Sequence, residues 1–359
     1  MRVRESDRAI TADTRVARLT LARPDDWHLH LRDGAILSSV LPDTARRFAR
    51  AIVMPNLDPP IRTVREAHEY RGRILAAVPR TSRFKPLMTL FLTEEMEPAE
   101  VAKAHASGIV HAIKLYPAAA TTNTGAGVRE IERCYKVFGE MERLGLPLLI
   151  HGEVRDPAID VFDREAVFLE RHLVPLLRDF PGLRMVLEHI TTRAAVEFVR
   201  AGPDTLAATI TAHHLLLDRN ALFDGGLRPH HYCLPLLKRA EHRMALVAAA
   251  TGGNPRFFLG TDSAPHFRQA KESACGCAGI YTAHAAIELY AEVFEEAGAL
   301  ERLEGFASFH GPDFYRMPRN DDRITLIREA WRVPDEITIG NGTLLPLRAG
   351  ESIAWRLLD

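Results

Sequence analysis

The sequence predicts an α/β protein, a single (β/α)8 barrel over residues 1–359 with short N- and C-terminal extensions. Three observations carry that prediction. Short apolar runs rich in β-formers recur eight times, stretches of helical periodicity or polar loop separate them, and residues able to do chemistry close several of the runs. The first two are the alternation of βα units around a parallel sheet. The third distinguishes a barrel, which gathers its site at the C-terminal rim, from a doubly wound open sheet with the same rhythm.

In chain order the runs are 27–30, 51–55, 87–92, 112–116, 147–151, 185–189, 208–212 and 257–261. The first, in DDWHLHLRDG, sets His28 and His30 at i and i+2, on one face of a strand, with Leu29 turned the other way. Asn56 follows the second run, and apolar spacing then predicts a helix over 64–77. Lys114 lies in the fourth run; the small, polar segment 118–127, AAATTNTGAG, reads as a connecting loop or a lid, and 127–144 as the next helix. His151 and His189 close the fifth and sixth runs, with a helix over 193–200 after the latter. Asp262 follows the eighth run, in FLGTDSAPH. Beyond Ser308 the spacing predicts a helix over 322–331, then a tail punctuated by Pro and Gly that packs on the main body. No linker, low-complexity tract or repeat beyond the βα rhythm divides the chain, so one domain is the economical reading.

Composition excludes several classes. With 46 Lys plus Arg against 47 Asp plus Glu, no global field draws the chain to nucleic acid or an anionic membrane. The most apolar stretch, 245–250, is far too short to cross a bilayer. Residues 1–15 mix charges of both signs and lack the apolar segment of a secretory signal, which points to a cytoplasmic chain. The four cysteines, Cys134, Cys233, Cys275 and Cys277, are too few and the C-G-C too tight for a disulfide framework, so reduced thiols are expected.

Two imidazoles on one strand face can reach one ion, and zinc is commonly held by histidine with a position left open for water. A pair of ordinary core or surface histidines is the plain alternative in a chain with 16 of them. His151 and His189 each put an imidazole at a buried strand tip, which is costly unless it hydrogen-bonds or binds something. Asp262 can ligate a metal and accept a proton from water, or merely cap a turn. Lys114 is anomalous, because an ammonium among metal ligands would be repelled. A neutral lysine can react with carbon dioxide to give a bridging carbamate; alternatively the side chain snorkels to solvent or binds a substrate anion.

The segments RPDDWHLHLRDG, MPNLDPP, IKLYPAAATTNTGAGV, IHGEV, LEHITT, GGLRPHHYCLPLLK, FLGTDSAPH and KESACGCAG resemble, in order and across nearly the whole chain, the dihydroorotases of the single-domain bacterial type. These are metal-dependent amidohydrolases. H-x-H alone is shared by that whole superfamily, whereas GTDSAPH with KLYPA and YCLP is far more specific. The resemblance implies two zinc ions. His28, His30 and Asp262 would hold the more buried one, His151 and His189 the second, and N6-carboxylated Lys114 would bridge them. It implies reversible cyclisation of N-carbamoyl-L-aspartate to L-dihydroorotate with loss of water, in pyrimidine biosynthesis, with Asp262 as the proton carrier. Arg32, Asn56 and His266 match positions that grip the unreacting substrate carboxylate. Leu234 and Ala278 match positions where backbone groups meet the ring, and Thr121 and Thr122 match lid residues that touch substrate. A homodimer is expected on the same ground. Ala212 departs from the pattern, standing where many relatives carry proline, and the C-G-C matches a loop beside the substrate. A hydrolase of another cyclic amide, such as a hydantoin, would lack the carboxylate grip, and a non-catalytic barrel would lack ligands.

Overall fold

The computed structural model describes residues 17–274 and 276–358. After β1 (Arg18–Ala22) come eight strands that share one sheet: β2 (Asp25–Leu29), β3 (Arg50–Val53), β4 (Lys85–Phe91), β5 (Val110–Leu115), β6 (Leu148–Ile150), β7 (Met185–Leu187), β8 (Leu206–Ile210) and β9 (Phe257–Leu259). Every neighbouring pair is parallel and the spatial order follows the sequence. β2 and β9 then meet at a Leu29–Ser263 bridge, with His30 N–H donating to Ser263 O at 3.0 Å and Asp262 N–H to His28 O at 2.7 Å. That contact closes the (β/α)8 barrel. All eight expected runs lie on these strands, which stop one or two residues earlier because the chain there leaves the ladder for the loops at the mouth.

Two apolar layers follow from strand alternation. Side chains turned inward, among them Trp27, Ile52, Phe91, Leu149 and Phe258, fill the barrel, while the opposite faces pack under the surrounding helices. Tyr315 closes the inner layer, its ring stacked on Trp27 at 4.3 Å. Gly311 makes this possible, since a Cβ there would lie 1.9 Å from Trp27 Nε1.

The helix Val64–Ala77 forms as its spacing predicts, started by Thr63 and Glu66 in a capping box. Arg193–Ala201 likewise follows the cap of Thr192. Two expectations are corrected. Of 127–144, only Tyr135–Leu144 is α-helical, after a 3-10 turn at Ile131–Cys134. Residues before that turn are instead held against the exit of β5, with Val128 N–H donating to Tyr116 O at 2.8 Å and Gly127 so close to that carbonyl that a Cβ would meet it at 2.4 Å.

The stretch 322–331 is not a helix. Arg323–Ile327 forms β10, antiparallel to β1 with Thr20 opposite Thr325. In RITLI buried Ile324 and Leu326 alternate with more exposed neighbours, a period of two reinforced by β-branching. The tail continues as β11 (Trp331–Arg332), β12 (Ile337–Ile339), β13 (Gly342–Leu344), β14 (Ser352–Ile353) and β15 (Arg356–Leu357); β12 and β13 form a hairpin, β11 pairs with β14, and β15 joins β10. It packs on the body as expected, with Gly342 pressed on the Phe267 ring. Among the described residues no helix is long and apolar enough to cross a membrane. The expectation drawn from residues 1–15 lies outside the described residues, as does Cys275.

Candidate active site

The residues expected to carry chemistry converge at the C-terminal mouth. A narrow cleft there is lined by His28, His30, Arg32, Asn56, Thr121, Thr122, His151, His189, Leu234, Asp262 and Ala278, with Tyr116, Ala264 and Gly279. Lys114 is fully buried beneath it. His266 lies one step outward, lining the adjoining outer mouth.

β2 turns His28 and His30 the same way, their ring centroids 5.3 Å apart. Asp262 Oδ1 lies 3.3 Å from His28 Nε2 and 3.0 Å from His30 Nε2. The backbone that delivers Asp262 is unusual, with φ +45 at a residue that is not glycine; His189 has φ +43. Such conformations persist only where surrounding contacts over-determine them. Here the buried carboxylate of Asp26 accepts from His28 N–H at 3.1 Å, Thr261 N–H at 2.9 Å and the Thr261 hydroxyl at 2.6 Å. It therefore ties the strand of His28 to the segment that carries Asp262, just below the site. Burial pushes its pKa up to about 7, against the pull of those donors.

His151 and His189 face each other at a centroid distance of 4.9 Å, and His28 is the same distance from His189. His151 Nε2 contacts Glu153 Oε2 at 2.8 Å, which leaves Nδ1 for the cleft. The Lys114 ammonium meets the Glu188 carboxylate directly, and Glu188 Oε1 lies 3.0 Å from His28 Nδ1. Sequence reasoning missed Glu188. Its signal was a carboxylate inside the apolar run VLEHI, where a buried charge demands a partner.

Electrostatics set the pair apart. Burial opposes a charge on His28, yet Glu188 and Asp262 together raise it to about 9. Burial lowers His30 to about 4 despite Asp262. Burial also pushes Asp262 up, but His28 and His30 outweigh it and hold the carboxyl well below the usual range. Lys114 is lowered by burial against the pull of Glu188.

The donor set fits divalent metal. Both ring nitrogens of His28 and Nδ1 of His189 are buried without a properly aligned hydrogen-bond partner, although His28 is within contact distance of two carboxylates. Imidazole nitrogens and a carboxylate oxygen converge, the set that suits zinc, and Glu188 and Glu153 stand behind His28 and His151 as carboxylates that orient metal-binding imidazoles do. The ligand atoms of His28, His30 and Asp262 lie within 4.8 Å of one another, as do those of His28, Glu188 and His189.

A second, cationic group borders the first. Arg32, at φ +57, directs one terminal nitrogen to His266 Nε2 at 2.8 Å and its Nε–H to Pro265 O at 3.3 Å. Asn56 Oδ1 lies 2.8 Å from His30 Nδ1, and its amide donates to Thr122 O at 2.9 Å. The 118–127 segment thus lies over the cleft, and the Thr122 hydroxyl reaches Ala278 O at 3.4 Å. Cys134, Cys233 and Cys277 are free thiols.

A model of the amidohydrolase family matches residues 26–341. A dihydroorotase of Nitrosomonas europaea is 66% identical over 342 residues, covering 95% of this chain and 98% of that protein. Crystal structures of dihydroorotases from Campylobacter jejuni and, in complex with 5-fluoroorotic acid, Saccharomyces cerevisiae superpose with TM-scores of 0.89 and 0.88. Each is 34% identical; they cover 97% and 96% of this chain and 99% of each of theirs. With family model, sequence relatives and barrel in agreement over nearly the full length, the chain belongs to the amidohydrolase family and, within it, to the dihydroorotases.

Proposed function

We infer that this dihydroorotase works with two zinc ions: His28, His30 and Asp262 would hold one, His151 and His189 the other, and an N6-carboxylated Lys114 would serve both. The observation that carries this reading is the meeting of those imidazoles and Asp262 in one cleft directly above a fully buried lysine. When bound, the metals supply Lewis-acid polarisation of the attacked carbonyl and a lowered pKa for water.

The chain's own groups do the rest. L-dihydroorotate binds with its exocyclic carboxylate toward Arg32, Asn56 and His266, where a guanidinium offers forked, charge-assisted bonds. Backbone groups of Leu234 and Ala278 hold the ring, and Thr121 and Thr122 cover it and exclude water in the ring-closing direction. Asp262 takes the proton from the attacking water and delivers it to the ring nitrogen as the amide bond breaks. Both imidazole contacts are to its Oδ1, which leaves Oδ2 for that transfer. The reverse sequence closes N-carbamoyl-L-aspartate and releases water.

This reading comes with a single-domain, cytoplasmic homodimer that takes a small-molecule substrate, supported by the family resemblance. Protein purified without chelators should contain two equivalents of zinc by elemental analysis and hydrolyse L-dihydroorotate. A folded, metal-free and inactive chain would overturn it.

A further inference from the structure

Lys271 is a lysine with 3% of its surface exposed, on the short helix Arg268–Lys271. Burying an ammonium is expensive, and an apolar side chain would fill the volume more cheaply. Its surroundings explain what the charge does. Nζ donates to Tyr232 O at 2.7 Å and to Gly279 O at 2.6 Å. These carbonyls belong to two separate segments that run side by side, joined by Gly279 N–H donating to Tyr232 O at 3.0 Å. Two residues past Tyr232 is Leu234, and one residue before Gly279 is Ala278; both line the cleft.

Two carbonyl oxygens pointed at one spot repel, and the ammonium between them offsets that repulsion beside the Gly279–Tyr232 hydrogen bond. The near wall cannot compensate. Gly279, at φ +148, already sits so close to Ala264 and His266 that an added Cβ would lie 2.8–2.9 Å from them. Among the described residues neither glutamate nor aspartate pairs with the ammonium, whose cost is borne by the carbonyls and by the Tyr232 ring at 5.7 Å. Burial lowers its pKa to about 8.

We propose that Lys271 is a positioning residue that fixes the spacing between the Leu234 and Ala278 backbones and so sets the ring-binding frame of the cleft. It touches neither the reacting atoms nor the metal ligands. The proposal rests on the dihydroorotase reading, in which those two backbones hold the ring.

The test compares wild type, Lys271→Met and Lys271→Gln as metal-loaded enzymes, with L-dihydroorotate and with 5,6-dihydrouracil, the same ring without its carboxylate. Lys271→Met should raise KM for dihydroorotate at least tenfold, keep kcat within about threefold and retain its metal. Its kcat/KM for dihydrouracil should fall by the same factor, because the ring and not the carboxylate is misheld. Lys271→Gln, with neutral donors of shorter reach, should fall between. An unchanged KM in both variants would overturn the proposal. So would kcat and metal content falling together, or failure of both variants to fold, since Lys271 would then support the barrel in general. A wild type inactive on dihydroorotate would overturn the functional reading, a result distinct from any of these.

Discussion

Replacing Arg32 with methionine tests the proposed carboxylate grip apart from the rest of the site. Its guanidinium has five donors, of which one terminal nitrogen is directed at His266 and Nε at Pro265 O, leaving the other terminal nitrogen to face the cleft near His30 at 3.5 Å. Hydrogen bonds to a charged partner are worth about 1.5–3 kcal/mol each, and truncating one side of a buried pair strands the other. Loss of one or two of these amounts to about 3 kcal/mol, which is on the order of 100-fold in kcat/KM for dihydroorotate. Methionine preserves the stem's volume and no donor. Dihydroorotate hydrolysis, followed by loss of ultraviolet absorbance, should show that fall with metal content unchanged. Dihydrouracil, which has no carboxylate, should be turned over by the variant at the wild-type rate. Equal losses on both substrates would refute the assignment, because Arg32 would then be shaping the site rather than binding the anion.

Further outcomes concern the groups beneath the cleft. Glu188→Gln removes the charge behind His28 and should weaken metal binding by about 10–100-fold in a chelator competition, with kcat largely restored at saturating metal. Lys114→Ala should lose metal and activity together, and short carboxylic acids with added zinc should restore part of both. Asp26 provides a pH signature: its folded-state pKa is raised from 3.8 to about 7, so the folded chain retains a proton there that the unfolded chain releases. Stability from this group is complete below about 3.8 and is lost as pH rises through about 7. Denaturant unfolding of wild type and Asp26→Asn should therefore show the wild type losing ground to the variant across that window; a pH-independent difference would refute it.

Sequence legibility followed the physics of each element. Strands such as KPLMTLF and LAATI were legible because both their faces are buried, which leaves nearly continuous apolar runs that punctuation delimits. His28 and His30 were legible because strand geometry alone puts i and i+2 together. Glu188 was not: nothing local says that a carboxylate next to a strand-end histidine turns under another strand to reach Lys114 and His28. The start of 127–144 carries helical spacing, but its Val128 N–H is taken by the Tyr116 carbonyl at the exit of β5, a tertiary contact that periodicity does not encode. RITLI has both periodicities, and β1, some 300 residues away, decides between them. Nothing in KESACGCAG marks Lys271 as buried, because its carbonyl partners Tyr232 and Gly279 are brought to it only by the fold.

The pairing of β1 with β10 and β15 has a consequence for how the molecule is made. Thr20 and Thr325 touch across 305 positions of chain, and β15 ends at Leu357. Contacts of such separation form slowly, and domains assemble from the N-terminus while translation proceeds. β1 must therefore wait, its edge unpaired, until Arg323–Ile327 has been synthesised. A ribosome that stalls before β10 is made leaves a product with that edge bare, open to sticking to other chains and to proteolysis, so β10 acts as a seal on β1.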